Sequence, residues 1–227
     1  MFPSIAKNYA SLLAEIAAAC ERVGRDPDEV TLVAVSKTVG AEQVAEAIAA
    51  GIHDFGENRT TLFMEKQLAF PQERWHFIGR IQTNKIKDFV GRAALVHSVS
   101  SPKALRAIAD RALQLNVTQR LLFEVNVSGE ESKDGATPKQ LEELLDLAVG
   151  LEGIEVRGLM TMAPQADADT VRATFRGLRE LRDGFLASFG NTERIQLDEL
   201  SMGMSDDFTL AVEEGATIVR VGRSVWL

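Results

Sequence analysis

From residue 31 onward the chain alternates between short runs dense in Val, Ile, Leu and Phe and longer segments whose apolar side chains recur every three or four positions. The short runs read as strands, the longer ones as helices with one buried stripe. Strands are predicted in TLVAVSK, HDFGEN, WHFIG, ALVHSVS, RLLFEVNV, IEVRGLMTM, QLDELSMG and IVRVG, with helices in AEQVAEAIAA, PKALRAIADRALQL, PKQLEELLDLAVG and ADTVRATFRGLRELRDGFLASF. A further helix over residues 2–24 precedes the first strand, with Ile5, Tyr9, Leu12, Leu13, Ile16 and Cys20 on one side and Gly24 ending it. Eight strands separated by helices, with no linker and no repeat, point to one α/β domain over residues 1–227. Its expected form is a closed (β/α)8 TIM-type barrel, with an open doubly wound sheet as the alternative. The chain stops at Leu227 directly after the eighth strand, so no final outer helix is expected, and the N-terminal helix is the candidate to cover that gap.

Composition narrows the classes. A chain of 227 residues can bury a sizeable core without staples. The formal net charge of -8 argues against nucleic-acid binding, which needs a basic face. One cysteine, Cys20, excludes an internal disulfide and a cysteine-based zinc site. The start MFPSIAKNYA lacks a secretory profile, and no apolar run approaches the ~20 residues of a membrane span. A cytoplasmic protein is expected, with no membrane partner.

The first strand carries Lys37 toward what should be protein interior, where an ammonium must be paired, reach back to water, or serve as a nucleophile. In a barrel of this kind chemistry gathers at the carboxyl ends of the strands. Those ends read Ser36-Lys37-Thr38, Gly56-Glu57-Asn58, Gly79-Arg80, Asn126-Val127-Ser128-Gly129, Met160-Thr161-Met162, Ser201-Met202-Gly203-Met204-Ser205 and Arg220-Val221-Gly222-Arg223-Ser224, with His76 inside the third strand. Glycines and hydroxyls on the last two strands suit a phosphate, and no GxxxxGK motif marks a nucleotide. A lysine, an anion cradle and an arginine are together what pyridoxal phosphate requires.

VAVSKT, DFGEN, WHFIGRIQTNK, HSV, VNVSGEESKDG, RGLMTM, LSMGMSDDF and VRVG follow in the order and spacing of the pyridoxal phosphate homeostasis protein family, and the chain resembles that family over nearly its whole length. The resemblance implies the alanine racemase barrel, fold type III, without the C-terminal β domain. It implies that Lys37 holds pyridoxal 5'-phosphate as an internal aldimine. Asn58 and His76 would line the cofactor pocket, while Met202, Ser205, Gly222 and the adjacent backbone would take the phosphate. Arg220 would face the pyridine nitrogen, keeping it unprotonated and the ring a weak electron sink. Two departures stand out: Arg223 occupies the place where the family usually has Thr or Ser, with Ser224 following, and the chain ends at Trp226-Leu227 where the family commonly continues. Either Ser224 and backbone amides or a charge-assisted contact from Arg223 would then serve the phosphate.

Blander readings weigh against other candidates. His53, His76 and His97 lack metal-ligand spacing, so no metal is expected. Met160, Met162, Met202 and Met204 suit packing of the upper barrel, Met202 alone gaining a ligand role through the resemblance. GEESKDG reads as a solvated loop in which Lys133 offers a second amine, and Cys20 reads as core. A racemase needs a second acid or base opposite the lysine, and the only tyrosine, Tyr9, lies in the N-terminal helix. The expectation is a non-catalytic, monomeric carrier that buffers the cofactor or delivers it to pyridoxal phosphate-dependent apoenzymes. A pyridoxal phosphate-dependent racemase or decarboxylase, and a sugar-phosphate enzyme using Lys37, are the alternatives.

Overall fold

Val33, Leu95, Leu122, Met160 and Ile218, one from each of five strands, meet in a small apolar cluster of their own. A second and far larger cluster surrounds them. This division is what a closed cylinder produces, because alternate residues of each strand point inward and the others outward under the helices. In the computed structural model, which describes residues 4–130 and 134–227, eight parallel strands close in sequential order from β1 to β8. They are β1 (Thr31–Val35), β2 (Asp54–Glu57), β3 (Arg74–Phe77), β4 (Leu95–Val99), β5 (Gln119–Glu124), β6 (Ile154–Met160), β7 (Ile195–Ser201) and β8 (Ile218–Val221). The helices are α1 (Ile5–Val23), α2 (Ala41–Ala49), α3 (Thr60–Ala69), α4 (Ile86–Phe89), α5 (Pro102–Gln114), α6 (Pro138–Val149), α7 (Ala168–Phe189), α8 (Phe208–Glu213) and α9 (Arg223–Trp226). The closed order excludes the open doubly wound sheet.

Local chemistry explains where the elements begin and stop. Ser4 caps α1 by accepting from the Lys7 amide, and Gly24 ends it in the left-handed region at φ 69°. Thr137 and Gln140 form a capping box at the start of α6, with Pro138 in its first turn. Outside the cylinder, Phe55 of β2 stacks on Trp75 of β3 at 5.1 Å, Phe63 of α3 packs edge-on against Trp75 and Phe77, and Phe77 stacks on Phe89 of α4 at 4.3 Å, clamping α3 and α4 to the sheet. At Gly158 (φ +155°) a Cβ would stand 1.9 Å from the Glu199 carbonyl oxygen, so only glycine lets β6 approach β7 there.

The chain's end differs from expectation: a one-turn helix, α9, follows β8. It packs with α8 against α1, and Asn8 Nδ2 donates to the carbonyls of Val225 (3.1 Å) and Leu227 (3.2 Å). The Trp226 indole N–H donates to the Val35 carbonyl at 2.7 Å, so the last turn also fastens the end of β1. Leu13 leaves the buried stripe of α1 and is 41% exposed, while Cys20 is fully buried. Among the described residues, no helix is long and apolar enough to cross a membrane.

Candidate functional site

Strand β1 ends at Val35, and Lys37 stands two residues beyond it in an exposed turn at the rim. This corrects the expectation of a lysine carried into the interior: the strand stops short, and its last buried position is Ser36. The buried ammonium of this region is Lys66, reaching in from α3. Its Nζ donates to the Ser36 carbonyl at 2.7 Å and to Glu57 Oε1 at 2.5 Å, with Lys66 only 3% and Glu57 0% exposed. Ser36 Oγ donates to the same carboxylate oxygen at 3.0 Å, and the Asn58 amide donates to Glu57 Oε2 at 3.2 Å. One buried ion pair therefore pins the residues immediately before Lys37 and Asn58, both of which reach solvent at the rim. A buried pair with its lone pairs satisfied fixes geometry more than it adds stability.

Arg220 lies in the adjacent strand, in register with Val33, deeper in the cylinder than Lys37. It is 5% exposed, and its guanidinium donates to Ser201 Oγ at 2.6 Å and to the Thr161 carbonyl at 3.0 Å. Burial pushes it down to about 10, against the opposing charges of Glu124 and Asp207. Both acceptors are neutral, and the guanidinium keeps further N–H donors for another acceptor.

A line of buried polar groups continues below it. Ser201 Oγ lies 2.8 Å from His97 Nδ1, His97 Nε2 lies 2.9 Å from His76 Nδ1, and His76 Nε2 lies 3.1 Å from Asp54 Oδ1. Arginine can only donate and a carboxylate can only accept, so with both imidazoles neutral a single direction runs through the line. Arg220 donates to Ser201, Ser201 to His97, His97 to His76, and His76 to Asp54. Burial, reinforced by the charges of His76 and Arg220, holds His97 well below its ordinary value. Burial alone would raise the Asp54 carboxyl, but hydrogen bonds from His76 and Arg74 outweigh it and leave it lowered. Both ring nitrogens of His76 are thus engaged within the barrel, which leaves neither for a ligand at the rim. This departs from the pocket-lining role expected of His76.

At the ends of β7 and β8 the remaining predicted residues gather. Met202 is fully buried. Ser205 Oγ accepts from the Gly222 amide at 3.3 Å, tying the two loops together. Arg223 and Ser224 open α9, where the first amides of a helix lack intrahelical partners. Arg223 is turned to the surface and paired with Asp206 at 2.5 Å, both side chains exposed. Asp207 accepts from the Met204 amide at 2.6 Å, its carboxyl raised by burial.

These placements bring Lys37, Asn58, Arg220, Met202, Ser205, Gly222 and Ser224 to the carboxyl ends of β1, β2, β7 and β8 and leave His76 below them. The donor set fits pyridoxal phosphate: an accessible amine, a buried guanidinium with N–H donors to spare, and hydroxyls and amides at two loop ends. Sequence reasoning passed over Lys66, Glu57 and Ser201 as structural partners, and Glu124 altogether. Lys66 sits between Glu65 and Gln67 in LFMEKQLAF, as an ordinary surface lysine of a helix does, so the sequence carries no signal for its burial. Lys133 lies outside the described residues. No cluster of three or more potential metal ligands occurs among the described residues.

The family profile of the alanine racemase N-terminal domain matches residues 8–227. The chain is 44% identical over 219 residues to a pyridoxal phosphate homeostasis protein of Aquifex aeolicus, covering 95% of this chain and 94% of the relative. The structure of PipY from Synechococcus elongatus with pyridoxal phosphate bound superposes with a TM-score of 0.82 at 33% identity, covering 95% of this chain and all of that one. An alanine racemase of Clostridium difficile shares the fold at a TM-score of 0.73 and 13% identity, over 94% of this chain and 58% of that chain.

Proposed function

Because the chain belongs to the pyridoxal phosphate homeostasis protein family, we propose that it binds pyridoxal 5'-phosphate reversibly through Lys37 and acts in keeping the cofactor available. The observation that carries this reading is the pairing of an accessible Lys37, braced by the Lys66–Glu57 pair, with Arg220 one strand away and bonded only to neutral acceptors. The cofactor, when bound, supplies an aldehyde to which a primary amine adds reversibly. Lys37 would provide the anchoring amine, and Arg220 would turn its remaining N–H donors to the ring nitrogen. Asn58 borders the ring, while Met202, Ser205, Gly222 and Ser224 receive the phosphate. Arg223 stands by as a surface cation held by Asp206. His76 acts indirectly, through His97 and Ser201, by holding Arg220.

The function is carriage without turnover. Racemisation requires acid–base groups on both faces of the substrate carbon. The lone tyrosine, Tyr9, packs against the core from α1, its ring beside Gly51 in the turn that leads into β2. The carrier we propose is a monomer that serves apoenzymes in the cytoplasm. The test is titration with pyridoxal phosphate followed by absorbance, then incubation of the loaded protein with L- and D-alanine in deuterated water. Saturable uptake of one cofactor and α-hydrogen exchange no faster than with free cofactor are expected. Exchange well above that level would make this chain an enzyme and overturn the reading.

A further inference from the structure

Glu124 has no part in the function above, yet it is the last residue of β5 and only 5% exposed. Strand alternation puts it on the same face as Leu122, which belongs to the inner cluster, so its side chain points into the cylinder at the mouth. Sequential closure from β1 to β8 sets β5 across the cylinder from β1, the strand that leads to Lys37. Among the described residues its carboxylate makes no hydrogen bond and no ion pair. Arg111 Nε is the one sealed side-chain polar atom without a partner among the described residues, so the Glu124 oxygens keep contact with solvent at the mouth, where a ligand can reach them.

Three charged groups act on it: Asp134 from the segment after β5, Arg220 from β8, and Arg80 from beyond β3. Burial chiefly, then Asp134, raises its carboxyl to about 7, against Arg220 and Arg80. Arg80 is itself 80% exposed and tied only by a 3.5 Å contact to Asp134, 47% exposed. Such a pair is readily opened.

We propose that Glu124 and Arg80 receive the zwitterion of a free α-amino acid at the barrel mouth, Glu124 taking the ammonium group and Arg80 the carboxylate. The proposal rests on the cofactor-carrying function and names what takes the cofactor away. Glu124 accepts a proton from the incoming ammonium, leaving a free amine. The amine's lone pair adds to the carbon that Lys37 holds, a new carbon–nitrogen bond forms, and the bond to Lys37 Nζ breaks. The departing Lys37 amine takes up one proton and Glu124 releases its own, so charge and atoms balance with no other reactant.

The test uses cofactor-free protein carrying 13C-carboxyl glutamate, with Glu124→Gln identifying the resonance. Glycine is expected to shift the Glu124 signal and lower its titration midpoint. Arg80→Gln is expected to weaken the glycine response about tenfold while sparing that to methylammonium. If glycine leaves the Glu124 signal unmoved, the amino-acid site is refuted even where the protein takes up cofactor. If glycine moves it but no cofactor binds, the site stands and the carrier function falls. In loaded protein, displacement by glycine should level off above about pH 7 in the parent, the midpoint of Glu124. In Glu124→Gln it should keep rising about tenfold per pH unit, following the free amine. The same levelling in both proteins would also overturn the proposal.

Discussion

Replacing Lys66 with methionine keeps the length of the side chain and removes its charge, leaving the Glu57 carboxyl without its partner in a site with no exposure. The Ser36 carbonyl loses its 2.7 Å donor in the same step. Breaking a buried ion pair by deleting one partner costs about 3–5 kcal/mol, because the survivor stays buried without compensation. For a domain of this size about 1 kcal/mol shifts the melting temperature by roughly 2–4 °C, so a loss on the order of 10 °C is expected. The double variant Lys66→Met/Glu57→Gln removes both charges. Its amide can donate to Ser36 Oγ and accept from the Asn58 amide, so most of the lost stability should return, to within about 1 kcal/mol of the parent. Urea unfolding at pH 7 reads both quantities through the midpoint at constant slope. Equal losses in the single and double variants would refute the argument, because the penalty would then come from lost packing and not from a stranded charge.

Glu124 should make stability fall as pH rises. Its folded value of about 7 exceeds the unfolded one, so the folded state holds the extra proton between about pH 4.5 and 7 and the penalty is complete above that window. Glu124→Gln should therefore gain roughly 3 kcal/mol at pH 8 and almost nothing at pH 4 in urea unfolding. Asp54 acts with the opposite sign: its lowered carboxyl contributes stability above its unfolded value, about 3.9, that is lost as pH falls through the lower folded value. Asp54→Asn should flatten the acid limb of the stability profile, and an unchanged limb would count against the His76 and Arg74 contacts. At Gly79 a Cβ would lie 2.0 Å from the Asn58 carbonyl oxygen, so Gly79→Ala must push back the rim beside the proposed cofactor site. A loss of about 1–3 kcal/mol with weaker cofactor retention is expected, measured by urea unfolding and absorbance titration.

The order of the barrel was legible because the alternation of apolar runs and amphipathic segments has only one closed arrangement with right-handed crossovers. The rim residues were legible for the same reason, since strand ends fall where glycine and polar residues interrupt the runs. What lies inside was not. Lys37 and Lys66 look alike in sequence, and only tertiary packing shows that the one in a helix is buried and the one after a strand is exposed. His76, His97, Ser201 and Asp54 come from four strands, and a line of hydrogen bonds among them has no signature along the chain. Glu124 closes an apolar run and reads as an ordinary strand-end acid until the closed cylinder turns it inward. The terminal helix α9 is too short to show a period.

The central claim is a covalent and reversible bond between Lys37 and the cofactor aldehyde. Borohydride reduction of the cofactor-loaded protein followed by peptide mass mapping tests it directly. The account predicts one phosphopyridoxyl adduct, on the peptide carrying Lys37, and none in Lys37→Ala. An adduct on Lys66, Lys133 or any other lysine in the parent protein, or the same yield of adduct in Lys37→Ala, would contradict it.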